Sequence, residues 1–143
     1  MADIRHRVQI DTPQEQVFRE LTTKDGFSRW WTRATGDEGP GGKLEFFFGG
    51  PEPGVMFEVT EQTPSSHVVL HCVQGPEEWV GTNLNFRLSP ADGGTAVLFS
   101  HEGWQEPVEF MYHCSTKWAY YLLGLKGGME GRPYTPFPNG QDI

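Results

Sequence analysis

Cysteine is scarce: the 143 residues hold two, Cys72 and Cys114, with no CxxC spacing between them. Such a pair makes no disulfide framework and no thiolate metal cluster by itself. Long apolar runs are also missing, and none approaches the ~20 residues a spanning helix needs. The first residues, Met1–Arg7, are polar and unlike a secretion signal. Together these absences predict a cytoplasmic protein with both thiols reduced and buried. Positive charge is short too. Eleven Lys and Arg stand against 19 Asp and Glu, for a net charge of -8, and no basic cluster extends beyond Arg5–Arg7. A surface of that sign repels phosphate backbones and anionic headgroups, so neither nucleic acid nor membrane is an expected partner. The glycine-rich stretches do not lead from a strand into a helix and carry no P-loop lysine, which excludes a phosphate cradle of that kind.

Aromatic rings are abundant. They make up 13% of the chain, with five Trp and ten Phe. Each buried ring removes ~150–250 Å² from water, so a small domain with this many is either ring-packed throughout or uses rings to line a cavity. A single domain over residues 1–143 is expected, since a chain of this length buries roughly 68–70% of its unfolded surface without a staple.

Ile4, His6, Val8 and Ile10 alternate with polar residues and predict a strand. Thr12-Pro13-Gln14-Glu15 reads as a helix start, with Thr12 capping, Pro13 in the first turn and Glu15 closing a capping box. Val17, Phe18 and Leu21 share one face of that helix; Phe27, Trp30 and Trp31 share the face of a second, which Thr23 would cap. After the loop Gly36–Gly42, alternating runs predict strands around residues 44–48, 55–59, 68–72, 84–88 and 97–101, and Pro90–Gly94 signals a hairpin. The period then changes. Met111, Cys114, Trp118, Tyr121, Leu122 and Leu125 mark one long helix that Gly127-Gly128 would stop. The Pro-rich tail, residues 129–143, is expected to run extended over the surface. A curved sheet must bury its concave face, and that helix is the one large element able to cover it.

Four motifs stand in order along the chain: Thr12-Pro13 to Val17-Phe18, Trp30-Trp31, the strand Thr95–Gly103, and Lys117-Trp118 with Leu122–Lys126. Together they resemble the SRPBCC/START-like helix-grip superfamily, and within it the branch named after the activator of a heat-shock chaperone's ATPase. The resemblance spans Ile4 to about Pro138. It implies an α+β helix-grip (START/Bet v-like) fold: about six curved antiparallel strands around a long C-terminal helix, with two short helices after the first strand. The superfamily includes ligand carriers, polyketide cyclases and chaperone regulators, so the fold leaves function open.

Three readings follow. The first is a binding module whose cavity, lined by Trp31, Phe46, Phe57, Leu70, Trp79, Phe86, Phe99, His101, Trp118 and Tyr121, holds a small hydrophobic or aromatic molecule. The second is a cyclase- or hydrolase-like enzyme in which His101 or Tyr121 transfers a proton in that cavity. The third, implied by the resemblance alone, is a stress-response protein that associates with a chaperone; a homodimer is a further candidate assembly. No catalytic constellation stands out. Glu58, Glu61, Glu77, Glu78, Glu102 and Glu109 form no pair on one face. His71-Cys72 and His113-Cys114 are chain neighbours whose side chains diverge, so neither pair chelates alone. No metal or cofactor is expected. His101 shares a strand face with Val97 and Phe99 and should point inward, either toward a ligand or into the core. Trp79 and Trp104 fall in loops near strand ends, where a pocket mouth would use them.

Overall fold

A computed structural model describes residues 1–143 except Gln141. It contains one seven-stranded antiparallel sheet in the order β1-β7-β6-β5-β4-β3-β2. The strands are β1 (Ala2–Ile10), β2 (Ala34–Gly36), β3 (Lys43–Phe46), β4 (Val55–Thr63), β5 (His67–Gln74), β6 (Asn83–Ala91) and β7 (Gly94–Trp104). Two short helices, α1 (Gln14–Glu20) and α2 (Lys24–Trp30), follow β1, and α3 (Glu109–Met129) lies across the concave face. This is the helix-grip α+β architecture expected from the sequence. The strand not anticipated is β2, three residues at the sheet edge, too short to show an alternating pattern.

The period-2 pattern sets the register. Ile4, His101 and Leu84 align across β1, β7 and β6, and Phe99 pairs with His6 on one side and Phe86 on the other. Each of these rows points toward α3, and every member except His6 is buried. The β6–β7 hairpin turns at Asp92 and Gly93, both with positive φ, the conformation a two-residue I′ turn requires. Thr23 caps α2 as expected, its hydroxyl accepting from the Gly26 amide at 3.0 Å. Helix α3 is tied to β1 by His6, whose Nε2 lies 3.1 Å from the Ser115 carbonyl, and by Lys126, which donates to the Gln9 carbonyl at 2.6 Å.

Three local expectations are corrected. Thr12 does not cap α1; its hydroxyl donates to the Met129 carbonyl at the far end of α3, and Pro13 occupies the cap position without a side-chain bond. Glu15 therefore closes no capping box and instead lies 3.6 Å from Arg19, one turn on. Gly127-Gly128 does not stop α3. The helix runs through both and ends in a Schellman arrangement: Gly131 has φ +94°, and the Arg132 amide reaches back to the Gly127 carbonyl at 2.8 Å. The two glycines serve close approach, because a Cβ on Gly128 would sit 2.1 Å from the Tyr134 ring. The tail, finally, folds back onto α3 and the core cluster instead of running extended over the surface. Tyr134 and Phe137 pack against the core cluster, and the Phe137 amide donates to the Trp31 carbonyl at 2.6 Å.

Candidate functional site

The helix grip leaves a cleft of about 430 Å³ between the first half of α3, the start of β4, the loop before β6 and the folded-back tail. Its floor is a triangle of indoles. Trp31 ends α2, Trp79 sits in the β5–β6 loop and Trp118 projects from α3. Their rings are 4.8 Å apart for Trp31–Trp118, 6.2 Å for Trp79–Trp118 and 6.5 Å for Trp31–Trp79. Phe48 and Phe137, in edge contact at 5.3 Å, wall one side, and Phe110 stands on the other. The polar groups at the rim are His113 and Lys117 of α3.

The ten residues expected to line a cavity separate into two layers. Trp31, Trp79, Trp118 and Tyr121 reach the cleft. Phe46, Phe57, Leu70, Phe86, Phe99 and His101 do not; they lie beneath the indoles, each 2% exposed or less. Phe46 packs 4.6 Å from Trp31, Phe99 4.7 Å from Trp118, and Phe57 6.2 Å from Trp79. The reason is volume: three indoles fill the concavity above the strands and displace the open space outward. Strand alternation identifies what faces α3, but not what a second layer then covers. Sequence reasoning missed Phe48, Phe110, His113, Lys117 and Phe137. Phe137 carried the one available signal, an aromatic residue in a tail that an extended path would leave exposed. Trp104 is also corrected. It is fully buried, packed 5.1 Å from His101 and 6.0 Å from Phe110, and not at the cleft mouth.

His101 is the hub beneath the floor. The Trp118 indole N–H donates to its Nδ1 at 3.2 Å. An indole can only donate, so the ring proton sits on Nε2 and is donated to the Thr82 hydroxyl, 2.8 Å away. That hydroxyl in turn donates to the Trp79 carbonyl at 2.5 Å. Burial pushes the His101 pKa down to about 3, so the ring stays neutral near neutral pH. It touches two of the three floor tryptophans and is itself covered, which makes it a positioning residue for the floor. The Tyr121 hydroxyl is also engaged: it donates to the Asn139 carbonyl at 2.7 Å, and burial raises its pKa to about 12.

Both thiols are protonated, with burial lifting Cys72 and Cys114 to about 11. Cys72 donates to the Gln74 carbonyl, away from the cleft, whereas Cys114 is part of the cleft wall. The Trp79 indole N–H is buried next to the Cys114 thiol, and neither it nor the Trp104 indole N–H has a hydrogen-bond partner among the described residues. Among the described residues, no three His, Cys, Asp or Glu side chains converge as metal ligands.

The Activator of Hsp90 ATPase homolog 1-like family model matches residues 11–130. The chain belongs to this family. A solved relative is the Aha1 dimer from Colwellia psychrerythraea, 38% identical, with a TM-score of 0.83, covering 92% of this chain and 98% of the other. A Staphylococcus saprophyticus protein superposes with a TM-score of 0.77 at 16% identity, over 94% of this chain and 97% of its own. CalU16 from Micromonospora echinospora does so at 0.75 and 21%, over 92% and 76%. The last two likenesses bear on the fold alone. Among curated proteins no relative matches. No helix is long and apolar enough to cross a membrane among the described residues.

Proposed function

We propose that the domain binds a small hydrophobic or aromatic molecule in the cleft over the tryptophan triangle. The observation that carries this reading is the cleft itself: about 430 Å³ walled by Trp, Phe and aliphatic side chains, within the ~300–1,000 Å³ typical of small-molecule sites. Acid–base catalysis is the weaker reading for this cleft. His101 is covered, the Tyr121 hydroxyl is bonded to the tail, and no carboxylate lines the wall.

Native mass spectrometry of gently purified protein tests the proposal, with Gly54→Trp as the control. Gly54 lines the cleft, and a Cβ there meets nothing within 4 Å, so there is room for a large side chain, and the indole is expected to occupy the cleft without disturbing the core. The expected result is an extra mass on the wild type that disappears on denaturation and is absent from the variant. An adduct of equal abundance on both proteins would place the ligand elsewhere and defeat the reading.

A second reading concerns assembly. The Colwellia relative is described as a dimer, and it is matched over 98% of its length at 38% identity; this supports self-association here as well. Association with a chaperone is supported by the family's description alone.

A further inference from the structure

Helix α3 buries one face against the sheet and seats the tail on another. Arg132, Tyr134 and Thr135 pack on Gly127, Gly128 and Gly124, and Gly140 packs against Tyr120. A third face is covered by nothing among the described residues. It carries Tyr112, Thr116, Ala119 and Leu123, which recur at three- and four-residue spacing and therefore form one stripe along the helix. Tyr112 and Leu123 are the most exposed large apolar side chains outside the N-terminal methionine, at 60% and 63%. The stripe lies between Glu109 and Lys126 and has no charged residue of its own. On a chain of net charge -8, an uncharged apolar face is where a second copy can approach without repulsion.

The order of residues along the stripe is also self-complementary. If a two-fold axis crosses α3 at the level of Lys117 and Trp118, the antiparallel partner helix brings Tyr112 opposite Leu123 and Thr116 opposite Ala119, each pair occurring twice. The same operation sets Glu109 opposite Lys126. The small residues fall next to the axis, where two helices must come closest, at the ~8–10 Å separation of packed helices. The large apolar residues fall toward the ends, about 16 Å apart at 1.5 Å per residue, and close over the gap. Glu109 takes part in no ion pair among the described residues, whereas Lys126 already holds Glu130 at 2.8 Å, so the end charges act mainly as opposed fields. The same face meets itself, as an isologous interface requires.

We propose that the free face of α3 is the homodimer interface, packed as an antiparallel helix pair through Tyr112, Thr116, Ala119 and Leu123. The proposal rests on the self-association reading above and names its surface. One helix stripe on each side buries less than the ~1,200–2,000 Å² of a standard stable complex, so the dimer is reversible and concentration-dependent.

Sedimentation velocity from low micromolar to near-millimolar protein tests it. The wild type should pass from monomer to dimer, and Leu123→Glu should weaken dimerisation at least ~10-fold, as expected for a charge placed in an apolar contact. Leu98→Glu is the control: Leu98 is 47% exposed on β7, paired with Arg7 and Arg87 on the opposite side of the sheet, and should have no effect. Orientation is read by oxidative cross-linking. A mixture of Tyr112→Cys and Leu123→Cys proteins should yield a covalent heterodimer, while either alone should not cross-link. A wild type that stays monomeric throughout overturns both the self-association and its surface. A dimer that withstands Leu123→Glu, or that is lost with Leu98→Glu, overturns the surface and leaves self-association standing.

Discussion

At the residue scale, the cleft floor depends on a histidine that no ligand in the cleft reaches. His101 accepts from Trp118 and donates to Thr82, and Thr82 holds the backbone of Trp79. Replacing it with phenylalanine leaves an indole N–H and a hydroxyl short of a partner, and should cost ~1–3 kcal/mol in urea unfolding at neutral pH. The pH dependence is a sharper test. The folded ring titrates at about 3, the free ring at 6.5. Below 6.5 the unfolded chain takes up a proton that the folded one refuses. Stability from this group is therefore complete above pH 6.5 and falls as the pH drops toward 3, by up to ~1.4 kcal/mol per unit. Between pH 7.5 and 5, wild type should lose stability more steeply than His101→Phe. Equal slopes would mean that His101 is not held neutral.

At the element scale, the packing of α3 against the tail decides the shape of the cleft. The Gly128 position has no room for a methyl group beneath Tyr134. Gly128→Ala should thus destabilise the fold by ~1–3 kcal/mol as an overpacked site does, and the loss should shrink when Tyr134→Ala is added. Additive losses in that double-mutant cycle would show that the ring does not sit on the glycine. Phe137 forms part of the cleft wall, and its neighbours are pinned by Tyr121 and by Lys117, which donates to the Gly140 carbonyl. Phe137→Ala should cost about 1 kcal/mol of stability, as the loss of a half-buried ring does, and speed ligand dissociation several-fold, measurable by stopped-flow with a fluorescent apolar probe; an unchanged off-rate would mean that the tail does not confine the ligand.

This scale also shows what the sequence could reveal. Alternation in β1, β6 and β7 is visible because the buried large apolar side chains of each strand share one face, although Asn85, Ala96 and Ser100 are buried on the other, and the stripe from Cys114 to Leu125 is visible because α3 packs on the sheet along its length. The edge strand β2 has three residues and no pattern to read. Gly127-Gly128 looks like a helix stop because a pair of glycines is the ordinary signal for one; that they make room for Tyr134 depends on a tail whose path no local pattern encodes. Likewise, the inward faces of the strands are legible, but the layer of Trp31, Trp79 and Trp118 that separates Phe46, Phe57 and Phe99 from the cleft is assembled from α2, a loop and α3, residues far apart in the chain.

At the scale of the whole molecule, rings from five separate segments (the end of α2, the loop after β3, the β5–β6 loop, α3 and the tail) converge on one space and leave it incompletely filled. A fold that needed only a core would bury Phe48, Phe110 and Phe137 more fully than their half-buried positions around this cleft. The account centres on that space being a ligand site, and titration with the neutral fluorescent probe N-phenyl-1-naphthylamine tests it most directly. Wild type should bind one probe per chain, saturably, with quenching of the tryptophan emission by energy transfer from the three floor indoles, and Gly54→Trp should abolish binding while its melting temperature stays near that of wild type. No saturable binding to a folded wild type, or equal binding to the plugged variant, would contradict the account.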